Sequence, residues 1–127
     1  MRVRATLAAV VVGSAILLTS TPVPVSAGEA DVVDVLVRGS RDQGYRIEVT
    51  VRHADEGWEH YADRWEVLSP DGMVLATRVL HHPHVEEQPF TRSLNGVRIP
   101  EGIDEIIIRA HDSLDGYGGR SLRVKLP

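Results

Sequence analysis

The 127-residue chain has no cysteine, two methionines, and only six aromatic residues among two Trp, three Tyr and one Phe. Without cysteine there can be no disulfide, and no cysteine to carry a lipid, so a packed apolar core must hold the fold alone. Of the two methionines, one is the initiator, so Met73 stands alone. That excludes methionine-rich copper(I) chemistry. No stretch of helical period is present, no internal repeat, and no low-complexity tract. Also absent are HExxH, GxSxG and a glycine-rich loop leading into a helix, which removes the zincin, α/β-hydrolase and phosphate-loop readings. His111, Asp112 and Ser113 are consecutive, but neighbouring strand residues point to opposite faces, so they make no triad. With no catalytic motif, no enzyme is expected.

The longest apolar run, Leu7 to Leu18, is too short to span a bilayer, which takes about 20 residues. It follows Arg2 and Arg4 and ends near Val25-Ser26-Ala27, the pattern of a secretory signal peptide. Residues 1–27 are therefore expected to be cleaved and 28–127 to form one domain, exported to a periplasmic or extracellular location, with no membrane insertion after cleavage. Removing Arg2 and Arg4 from the fourteen basic residues leaves twelve against eighteen acidic ones, a formal charge of −6. Such a balance argues against nucleic acid as a partner.

The remaining chain reads as short strands separated by turn signals. Tyr45, Ile47, Val49 and Val51 alternate with Arg46, Glu48, Thr50 and Arg52, the period of a half-buried strand. Other strands are expected at 32–38, 63–68, 73–81, 90–94, 105–111 and 122–126, with Ser69-Pro70-Asp71-Gly72 as a tight turn. Seven strands without a helix predict an all-β, antiparallel, seven-stranded sandwich of the immunoglobulin or fibronectin III kind. Its core should hold Tyr45, Ile47, Val49, Val51, Trp65, Val67, Phe90, Ile106, Ile108, Leu122 and Val124. Arg92, between Phe90 and Leu94, falls on the same apolar face and needs an acidic partner such as Glu87, Asp63 or Asp112.

Strand parity then places the histidines. In an antiparallel sandwich, the loops after the second, fourth and sixth strands share one pole. All six histidines, at 53, 60, 81, 82, 84 and 111, fall in those loops or at adjoining strand tips. Imidazole is a common ligand for zinc and copper, and carboxylates complete such sites. His53, His60, His82, His84, His111 and Glu86 are the candidate ligands for copper(II) or zinc, with Asp55, Glu59, Glu87 and Asp112 at the same pole. His82-Pro83-His84 can turn two rings to one side of an extended segment. The alternative is that these histidines order the loops through hydrogen bonds and bind no metal. Trp58, Tyr61 and Tyr117 are candidates for contact with a protein or glycan partner at that pole, Trp58 being either a stacking platform or a lid over the core.

The segments WEHYADRWEVLSPDG, HPHVEEQPFTRSL and IRAHDSLDGYGG resemble a group of small exported bacterial proteins of unassigned function with an immunoglobulin-like appearance. The resemblance implies an exported β-domain and carries no activity, cofactor or partner with it.

Overall fold

The structure is a computed structural model, and it describes residues 29–127. The expected signal peptide and its cleavage point lie outside the described residues. Seven strands follow in order: β1 (Asp31–Ser40), β2 (Gly44–Arg52), β3 (Ala62–Leu68), β4 (Val74–Val79), β5 (Phe90–Val97), β6 (Glu105–Asp112) and β7 (Leu122–Lys125). They form two antiparallel sheets, β1-β2-β5 and β4-β3-β6-β7. Among the described residues there is no helix long and apolar enough to cross a membrane.

The alternation in the sequence decides which side chains meet between the sheets. From one sheet come Tyr45, Ile47, Val49, Val51 and Phe90; from the other come Trp65, Val67, Ile106, Ile108 and Ala110, all buried. Leu122 and Val124 differ from expectation: they are only partly buried and pack against the margin of this core. β7 is a four-residue edge strand paired on one side alone, so water reaches its side chains. Arg92 also lies less deep than its parity suggests. It is half-buried at the rim, donating through Nη1 and Nη2 to Glu87 at 3.2 and 3.1 Å, so water screens part of its charge.

Two features position the pole that carries the histidines. Both β2 and β6 continue their buried faces past the last apolar residue. On β2 the series 45, 47, 49, 51 ends in His53, and on β6 the series 106, 108, 110 ends in Asp112, both buried. The loop after β6 is tied to the start of β1. Val32 donates its amide to the Arg120 carbonyl at 2.8 Å, and the Arg120 amide donates to Asp31 Oδ1 at 2.7 Å. Gly119 permits this approach, since a Cβ there would stand 1.9 Å from the Ala30 carbonyl oxygen.

Candidate metal centre

His53 reaches the pole from β2, His60 from the β2–β3 loop, and Asp112 from the tip of β6. One nitrogen of each ring and one carboxylate oxygen of Asp112 all lie within 4.8 Å of one another. Among the described residues no other set of three or more His, Cys, Asp or Glu side chains converges in this way. All three residues are buried.

Each is held by local structure. Asp55 Oδ1 accepts from His53 Nδ1 and, at 3.0 Å, from the Ala62 amide, while its Oδ2 accepts the His84 amide at 2.6 Å. Burial alone would raise the Asp55 pKa, but these hydrogen bonds, led by that from His53, outweigh it and hold the group below its ordinary value. Asp55 is thus a carboxylate, and by accepting from Nδ1 it turns Nε2 of His53 toward Asp112. His60 is set by a tight turn in which its amide donates to the Gly57 carbonyl at 3.2 Å and the Glu56 amide to the His60 carbonyl at 2.8 Å. Asp112 Oδ1 accepts the amides of Leu114 and Asp115, both at 2.7 Å, which leaves Oδ2 for the centre.

Asp112 Oδ2 lies against Nε2 of both His53 and His60, 2.7 Å from the latter. Yet it has no hydrogen bond of normal geometry. The oxygen faces both Nε2 atoms from one side of the centre. Buried carboxylate oxygens are costly unless a hydrogen bond or a cation answers them. Asp115 Oδ2, on the exposed loop beyond, stands 3.4 Å from His60 Nε2 and is within reach as a fourth donor. Two imidazoles and two carboxylates suit tetrahedral zinc, whose ligands at about 2.0–2.1 Å stand roughly 3.3 Å apart. Asp112 is closer than that to both rings, so an ion would part them by about 1 Å or less. The His53, His60 and Asp112 group could hold a metal ion.

The other candidates fall elsewhere. His82 and His84 form a pair of their own, ring centroids 4.6 Å apart, on the β4–β5 loop. His111 points to the outer face of its sheet, where its Nδ1 stands 2.6 Å from Asp63 Oδ1 and its ring meets Tyr117 edge-on. Glu86 and His81 are exposed. Trp58 is 69% exposed and meets Tyr61 edge-on, so it is no lid over the core. Tyr117 folds back over the outer face of β3 and β6: its hydroxyl donates to Glu66 Oε1 and accepts from Arg64 at 2.8 Å, and Arg109 stacks on its ring. Sequence reasoning placed Asp112 among the carboxylates at this pole without naming it a ligand, although its parity with Ile106 and Ile108 was readable, and it missed Asp115.

No family model matches the chain, and no solved structure matches it. A protein of Halomicrobium mukohataei described as "Putative lipoprotein" is 40% identical over 96 residues, covering 76% of this chain and 47% of that protein. The chain therefore spans about half the length of the curated relative it is similar to.

Proposed function

We propose that the chain is an exported β-sandwich module that binds a divalent transition metal at His53, His60 and Asp112, with Asp115 as fourth donor. The observation that carries this reading is the convergence of one nitrogen of His53, one nitrogen of His60 and one carboxylate oxygen of Asp112 within 4.8 Å of one another, in three buried residues. Asp55 behind His53 supplies the outer carboxylate that metal-bound histidines commonly have. Export is supported by the leader-like pattern of residues 1–27 and by the description of the relative as a lipoprotein. The strand order, with β4 beside β3 rather than beside β5, favours the fibronectin III kind of sandwich over the constant-type immunoglobulin arrangement.

Titration of zinc and of copper(II) into the chain tests the reading. One equivalent is expected to be lost in Asp112→Asn, which keeps the side-chain shape, and in His60→Ala. Equal, weak binding by all three proteins would remove the metal centre. The second reading is then a metal-free domain that contacts a protein or glycan through the same pole. Trp58, Tyr61 and Tyr117 would serve it, and the exposure of Trp58 is the observation in its favour.

A further inference from the structure

His84 poses a separate question. It is 5% exposed, and neither of its ring nitrogens has a hydrogen-bond partner. Stacking on Phe90, with centroids 4.0 Å apart and planes 12° from parallel, accounts for a flat ring at this position. It does not account for an imidazole, since a phenyl ring would stack there without two unanswered polar atoms.

The neighbouring groups bear on what those nitrogens can do. The His82 ring lies 4.6 Å from that of His84, with planes 41° apart. Its Nδ1 is 3.2 Å from the Pro83 carbonyl oxygen, a contact that puts the proton on Nδ1 and leaves the Nε2 lone pair open. Pro83, between the two histidines, has its φ fixed by its own ring. The backbone of His84 is pinned on both sides: its amide donates to Asp55 Oδ2 at 2.6 Å, and its carbonyl accepts from Gln88 Nε2 at 2.8 Å. Burial, with Arg92 and His82 adding to it, holds His84 below the ordinary imidazole value.

We propose that His82 and His84 form a second metal position, distinct from the His53–His60–Asp112 centre, which takes copper(II) through one nitrogen of each ring. Copper(II) stands highest among the divalent first-row ions for nitrogen donors and accepts a tetragonal set completed by oxygen. Water and the exposed Glu86 carboxylate, two residues along the same loop, are the oxygens at hand. The two positions are linked through Asp55, which holds the ring of His53 and the amide of His84, and through Gln88, which accepts the His53 amide and donates to the His84 carbonyl. The ion would give the buried ring the polar partner it lacks.

Copper(II) titrated into the full chain, followed by electron paramagnetic resonance and by competition with a chelator, tests this. Two equivalents are expected. Asp112→Asn should retain one of them, with hyperfine structure from two nitrogens. His82→Ala should remove that equivalent, and because His82 is exposed the substitution leaves the core alone. His84→Phe should remove it too while preserving the stack on Phe90. His81→Ala, which alters an exposed imidazole next door, should leave it unchanged. Copper uptake that is unaltered in His82→Ala, or equally reduced in His81→Ala, would overturn the proposal. Loss in His82→Ala with no change in Asp112→Asn would instead uphold this position and remove the first centre.

Discussion

Asp55 accepts the Nδ1 proton of His53, and thereby fixes which nitrogen of that ring faces Asp112. The same carboxylate gathers the amides of Ala62 and His84, so one side chain orients the ring and closes two loops. Replacing it by asparagine brings an NH2 into a cluster of three donors. Asp55→Asn is expected to weaken zinc binding about 10–100-fold. It should also lower stability by about 1–3 kcal/mol, through buried donors left unmet. Calorimetric zinc titration and urea unfolding check the two effects separately. Native affinity in the variant would mean that Asp55 shapes the loops and nothing more.

Acid should destabilise the metal-free protein in two stages. His84 has its pKa lowered by burial, then by Arg92 and His82, so the unfolded chain takes up its proton first as pH falls. Stability from this group is full above the ordinary imidazole value of about 6.5 and declines below it, down to the depressed folded value. Asp55, also lowered, adds a second loss below the ordinary carboxylate value of about 3.9. Urea midpoints measured in chelator from pH 8 to pH 3 should trace both stages. His84→Phe should flatten the upper one, and an unchanged profile in that variant would assign the loss to other groups.

Ile47 and Ile108 are fully buried on facing sheets. Truncating either to alanine should cost about 2–5 kcal/mol, whereas Leu122→Ala, at the margin, should cost less. A loss under about 0.5 kcal/mol at both isoleucines would mean that the faces are wrongly assigned.

Tyr117→Phe keeps the ring beneath Arg109 and beside His111 but removes the hydroxyl between Glu66 and Arg64. Glu66 is buried, so a cost of about 1–3 kcal/mol is expected in thermal or urea unfolding. Zinc affinity should not change, because Tyr117 lies on the outer face of the sheet. A change in affinity would show that the loop after β6 is positioned from that face.

The strands were legible because their period is two and glycine and proline mark the turns between them, whereas strand order was not, since β2 and β3, β4 and β5, and β5 and β6 fall in different sheets. Parity carried the reading as far as His53. The same alternation, applied to Ile106, Ile108 and Ala110, selects Asp112 for the interior and turns His111 away from it. Grouping His111 with the other histidines by pole alone missed that distinction. His60 and Asp55 were less readable, since a loop has no period. Their places depend on Gly57, whose φ of 103° lets the chain reverse, and on hydrogen bonds between segments far apart in sequence. Trp58 could not be decided from its residue type, because lid and platform draw on the same amphipathic ring.

His53 directly follows a strand of one sheet and Asp112 ends a strand of the other, with 58 residues between them in the chain. Elsewhere the two sheets are joined by apolar packing, by connecting loops and by hydrogen bonds such as that from Arg78 to the Ser93 carbonyl, with no covalent tie. An ion at the proposed centre would clamp the layers at one end and do for this cysteine-free domain part of what a disulfide between sheets does for others. Its contribution would differ in kind, rising with free metal concentration and reaching about 4.1 kcal/mol at a thousand times Kd. Robustness would then be set by the surroundings as well as by the sequence, and a chelator would act on this molecule much as a reductant acts on a disulfide-bonded one.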